Sequence, residues 1–229
     1  MSGPVLEPRT SLGAVVADHA EFLNDRLVDP LGADPLRLAY HESGHVLAIA
    51  MWDSIQSIEY VTLEPNERSW GHVRQRGFCV YHPRRGPAPR GMALWQRRGL
   101  ALCAVRTALG GYAAEEVFSG EPVSEIESWW DAEEDTDEYD ACVAIGHAFK
   151  TANLIGADRR LRQEYALTRH FLAVHRTVLS DLAHALLTSG ILFPDAICGL
   201  LAGRLDYRRW ANKGLPRMPR RRRTTARAA

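Results

Sequence analysis

Residues 34–52 read DPLRLAYHESGHVLAIAMW. Asp34 followed by Pro35 is a helix start, with an acceptor at the cap and a proline whose missing N–H is no loss in the first turn. Leu36, Leu38, Ala39, Val46, Leu47, Ile49 and Ala50 make the helix apolar on most sides, which predicts that it is buried. Inside it lies His41-Glu42-Ser43-Gly44-His45, an HExxH string. Histidines four apart on a helix share one face, one turn above the other. Such a pair can offer two imidazole nitrogens to a single zinc ion at about 2.0–2.1 Å. Glu42, beside the first histidine, is placed to accept a proton from water activated by that ion. Buried ionisable groups need partners. A metal supplies one, and a hydrogen-bonded pair of core histidines is the plainer alternative.

The chain has 229 residues, with 28 Lys and Arg against 28 Asp and Glu. A formal net charge of zero gives no global attraction to nucleic acid or membrane. Charge is uneven locally. From Glu115 to Asp140 there are many acids and no Lys or Arg, whereas Arg217 to Arg227 is basic, with Arg220 to Arg223 consecutive. A short basic tail on a neutral chain reads as a soluble end or docking tag, so nucleic acid is not an expected partner. The four cysteines, Cys79, Cys103, Cys142 and Cys198, form no CxxC pair, which argues against a zinc ribbon. Free thiols and a cytoplasmic location are expected. The N-terminus lacks a signal-peptide pattern, and no stretch approaches the roughly 20 apolar residues of a membrane span.

Beyond the first helix the period changes. Ile55, Ile58, Tyr60, Val61 and Leu63 predict a strand over 54–63, Pro65-Asn66 a turn, and residues 70–81 the returning strand. A long helix is expected over 92–118, interrupted at Gly110-Gly111, where another backbone can come close. Further helices are expected over 131–152, 159–187 and 194–201, with Gly190 ending the second. Val16 to Val28 reads as a short amphipathic helix. The fold class is therefore mainly α with a small β-sheet, an α+β domain built on an HExxH helix of zincin type. Gly44 is expected to be small to permit close packing.

Four stretches, in order, carry a family resemblance. They are AYHESGHVLA (39–48), VTLEPNERSWGHV (61–73), LGGYAAEEVFSG (109–120) and LSDLAHALLTSGILFPDAI (179–197). Together they resemble the peptidase domain of the FtsH-type AAA+ zinc metalloproteases. The resemblance covers roughly 34–203, and it divides the chain into an arm and short helix (1–33), an FtsH-like helical peptidase domain (34–203) and a basic tail (204–229), expected to be disordered. It implies an acidic third zinc ligand at the start of the helix after the AAEE string. The matching position is Asp137 in DTDEYDACVAI, with Asp140, Asp131, Glu134 and Asp135 nearby. The family's lead-in to that aspartate is absent, as are its GxxxxGK[ST] ATPase string and its membrane spans.

The resemblance also implies a function. His41, His45 and Asp137 would hold zinc, Glu42 would be the general base, and Glu116 of the AAEE pair would orient a ligand histidine. The strand at Trp70, Gly71 and His72 would pair with an extended substrate, or else be an ordinary edge strand. The expected activity is ATP-independent hydrolysis of unfolded or flexible polypeptides. A separate unfoldase or adaptor is a candidate partner, and oligomerisation is left open. The alternative is a zinc-binding, peptidase-derived adaptor or regulatory protein.

Overall fold

The computed structural model describes residues 34–53, 55–65, 71–75, 94–122, 137–149 and 154–210. The expected helix over 16–28, the loop at 82–91 and the tail beyond 210 lie outside them. The described residues form a mainly helical domain with a three-stranded antiparallel sheet.

Helix α1 (Pro35–Trp52) is the centre of the packing. Asp34 caps it, with Oδ1 accepting from the Leu36 N–H at 2.9 Å and Pro35 in the first turn. From Ala39 onward nearly every residue is buried. A helix apolar on all sides must be covered on all sides, and three elements supply the cover. Helix α2 (Leu94–Ala108) lies against it, α3 (Gly110–Ser119) crosses it, and α6 (Arg176–Ser189) packs on a further side. Helix α4 (Asp137–Phe149) rests on α2, and α5 (Leu154–Val174) backs both α3 and α4.

The crossing of α1 and α3 is a backbone contact. A Cβ on Gly44 would lie 2.1 Å from the Gly110 carbonyl oxygen and 2.6 Å from the Ala114 Cβ. A Cβ on Gly110 would lie 2.7 Å from the Gly44 carbonyl oxygen. The two helices can approach this closely only because both positions lack side chains.

Strands β1 (Ile58–Thr62), β2 (His72–Gln75) and β3 (Ile191–Leu192) form a sheet in the order β2-β1-β3. Val61 faces Val73 on one side and Leu192 on the other. β3 was not expected, because two residues are too few to show a period. Gly190, at φ 71°, caps α6, and its carbonyl oxygen accepts from the Leu63 N–H and the Thr62 hydroxyl, each at 3.0 Å. This ties the end of α6 to β1. Helix α7 (Pro194–Leu201) follows, as the sequence predicts.

One expectation needs correction. The single helix over 159–187 is two helices that break at His175, whose N–H and ring Nδ1 both bond the Phe171 carbonyl, at 3.1 and 2.9 Å. Helix α8 (Tyr207–Trp210) carries Trp210, which is fully buried against Phe171 and His175. The Trp210 carbonyl accepts from the Trp52 indole N–H at 3.2 Å. Leu205 and Trp210 are buried with the core. Among the described residues no helix is long and apolar enough to cross a membrane.

The glycines give opposite expectations. Gly44→Ala should lower stability by about 1–3 kcal/mol or more, since an added methyl meets backbone that cannot yield. Gly146, in α4, has open space where its Cβ would be, so Gly146→Ala should raise stability by about 0.5–1 kcal/mol. Urea unfolding of the two variants checks both signs.

Candidate metal centre

His41 and His45 lie one turn apart on α1, and Asp137 is the first residue of α4. Their side chains converge. His41 Nε2 and His45 Nε2 are 3.0 Å apart, and Asp137 Oδ2 lies 3.2 Å from the first and 3.1 Å from the second. Among the described residues this is the one group of His, Cys, Asp and Glu side chains close enough to share an ion. The three side chains are 16%, 10% and 35% exposed.

The outer nitrogens settle what points inward. His45 Nδ1 is 2.7 Å from the Thr107 carbonyl oxygen, which can only accept, so Nδ1 carries the hydrogen. His41 Nδ1 is 2.6 Å from Glu115 Oε1 and donates in the same way. In its neutral form each ring then turns a lone pair inward, where the carboxylate of Asp137 adds a third. Three lone pairs this close repel unless a cation lies among them. A tetrahedral zinc with bonds of about 2.0–2.1 Å spaces its donors roughly 3.3–3.4 Å apart, close to the triangle seen here. The residues fit the ion.

With protons as the only cations, the cluster is strongly coupled. Burial disfavours charge on His41, but hydrogen bonds to Asp137 and Glu115 and the nearby acids outweigh it, holding its pKa up at about 10. His45 is also raised, because Asp137 outweighs its burial. Burial opposes ionisation of Asp137, yet the two histidines hold it well below the ordinary carboxylate range. Glu42 behaves differently. It is 4% exposed, and burial pushes its pKa up despite the opposing pull of His45 and His41.

Two glycines shape the space. A Cβ on Gly111 would lie 2.3 Å from His41 Nε2 and 2.4 Å from its Cε1, so the bare backbone makes room for the imidazole. A Cβ on Gly71 would come within 3.0 Å of Glu42 Oε1. The Tyr112 ring stands edge-on to His41 at 5.3 Å.

The expected residues are thus placed unequally. His41, His45 and Asp137 come together, with Glu42 beside them. Asp140 is one turn further along α4 and outside the triangle, and Asp131, Glu134 and Asp135 lie outside the described residues. Glu116 is held elsewhere than at the two histidines of the triad. Its carboxylate accepts from the Tyr165 hydroxyl at 2.8 Å and from Arg169 at 2.5 Å. The residue that bonds His41 is Glu115, and its second oxygen accepts from Arg37 Nε. Helix arithmetic held the signal. Gly111 and Glu115 are four apart and share the face that meets α1, while Glu116 is rotated about 100° away from it. Gly71 sits against Glu42, but alternation turns His72 to the other side of the sheet, where its Nε2 is 3.4 Å from the Tyr60 hydroxyl. Trp70 lies outside the described residues. A cleft of about 310 Å³ between α3, α5 and the start of α6, lined by Glu116, Arg169, His170 and Arg176, is separate from the triad.

No family model matches the chain. It is similar to the ATP-dependent zinc metalloprotease FtsH of Trieres chinensis, at 26% identity over 125 residues. That match covers 52% of this chain and 18% of the FtsH protein. The likeness is a distant, FtsH-related one.

Gly111→Ala should push the His41 ring out of the triangle. Metal affinity, measured by competition with a chelator, is expected to fall by at least about 10-fold, with the helical circular dichroism retained.

Proposed function

We propose that the chain is a zinc-dependent endopeptidase acting on unfolded or flexible polypeptides without ATP. The observation that carries this reading is the convergence of three inward lone pairs beside a buried glutamate. In it, His41, His45 and Asp137 hold the ion, and the likeness to a zinc metalloprotease makes zinc the first choice. Bound there, zinc would supply a Lewis acid that acidifies water and polarises a peptide carbonyl.

The chain's own residues do the rest. Glu42 takes the proton as the water oxygen attacks the carbonyl carbon, and returns it to the amide nitrogen as the C–N bond breaks. Gly71 leaves the Glu42 carboxylate room at the start of β2. Strand β2 is an outer strand of the three-stranded sheet that the described residues form. An extended substrate can add there by backbone hydrogen bonds. Folded proteins need opening first, the task of a separate unfoldase or adaptor. A metal held only for structure gives no reason to bury an acid beside it, which favours catalysis over a purely adaptor role.

The test is cleavage of casein or a quenched peptide. Chelator should abolish it and zinc restore it. Glu42→Gln should keep stoichiometric zinc and lose about 10²–10⁴-fold in turnover. Asp137→Asn should lose the zinc itself. A wild-type chain that takes up no transition metal, or a Glu42→Gln variant that cleaves as well as wild type, sinks the reading.

A further inference from the structure

Arg37 is accounted for neither by the sequence pattern nor by the chemistry above. It precedes His41 by four residues, so α1 presents both side chains on one face. Between them stands the Glu115 carboxylate, reaching over from α3. Its two oxygens are divided: Oε1 accepts from His41 Nδ1 at 2.6 Å and Oε2 from Arg37 Nε. The Glu115 side chain is 12% exposed and that of Arg37 64%, so the bridge runs from the interior to the surface.

A carboxylate holding one imidazole can still turn about its own bond. A second anchor on its other oxygen fixes the plane, and with it the ring it holds. The opposite constraint on that ring is Gly111, whose missing side chain leaves a slot the width of the imidazole. Glu115 also brings a third carboxylate near Asp137 and Glu42, and Arg37 offsets that charge locally.

We propose that Glu115 and Arg37 form a two-point clamp that positions His41 and sets how tightly the centre grips its metal. The inference rests on the metal-centre reading. Neither residue touches substrate or metal, so both are positioning residues. An exposed ion pair with no such role would add a little to folding stability and leave metal affinity unchanged.

The experiment is a double-mutant cycle on the full chain. Zinc affinity is read by chelator competition, and the site's geometry by the visible absorption of the Co²⁺-substituted protein. Glu115→Gln should weaken zinc by about 10–100-fold and shift the cobalt bands. Arg37→Gln should weaken it by about two- to five-fold, as suits a largely exposed pair. Arg37→Gln added to Glu115→Gln should cost nothing more. Wild-type affinity and spectrum in Glu115→Gln, or an Arg37→Gln effect equal in both backgrounds, overturn the clamp while leaving the metal centre standing. A wild-type chain that binds neither metal removes both.

Discussion

Helices α1 and α3 touch backbone to backbone at Gly44 and Gly110, and the candidate site is laid out from that contact. The crossing fixes which residues of α3 look at α1. One position along, Gly111 underlies His41, and one turn further Glu115 reaches the same ring. The neighbouring Glu116 is carried around the helix toward α5, where Tyr165 and Arg169 hold it. A helix pair held apart by ordinary side chains would put Glu115 out of range of His41 Nδ1. The geometry of one histidine is thus a consequence of two absent Cβ atoms.

His45 is held from a different direction, by the Thr107 carbonyl near the end of α2. Next to Thr107 stands Arg106, fully buried. Arg106 Nε bonds Glu164 Oε2 at 2.6 Å, Arg160 bonds the other oxygen at 2.6 Å, and the guanidinium lies 4.9 Å from the Trp52 ring centre. Buried ion pairs add little net stability, because desolvation offsets attraction, but breaking one leaves a stranded charge. Here the pair joins α2 to α5 in one register. The carbonyl that holds His45 and the buried structural charge are therefore one residue step apart, Thr107 and Arg106.

Much of this was legible in the sequence because it is local. The Asp34-Pro35 cap, the all-round apolar face of α1, the HExxH spacing and the Gly190 terminator are each stated within one turn or one helix. The misses are all tertiary. Helix arithmetic separates Glu115 from Glu116 only once Gly111 is known to face α1, and that is set by the crossing. The break at His175 depends on a ring packed among Phe171 and Trp210, within a sequence that keeps its helical period straight through. Trp210 sits in a stretch whose Arg and Pro content reads as tail, yet it closes the core. β3 has no pattern of its own and exists because Gly190 delivers it alongside β1. The FtsH resemblance pointed to Asp137, and periodicity alone did not separate it from its acidic neighbours.

Asp137 shows how the third donor is aimed. Its helix, α4, docks through Ala141, Ala144 and Ile145, all fully buried. Alanines at four and seven residues beyond Asp137 lie on its own face and let α4 approach closely. The first turn of a helix also suits an acid, because the exposed N–H groups there favour negative charge. A carboxylate so placed is pulled toward its own helix end and toward the two imidazoles at once. Small residues along the docking face decide the competition by fixing where the helix end stands. If the triad binds a cation as proposed, that ion joins α1 to α4 only when α4 is seated. Metal uptake and the packing of those alanines then become two readings of one equilibrium, since a ligand that binds only the assembled state stabilises that state.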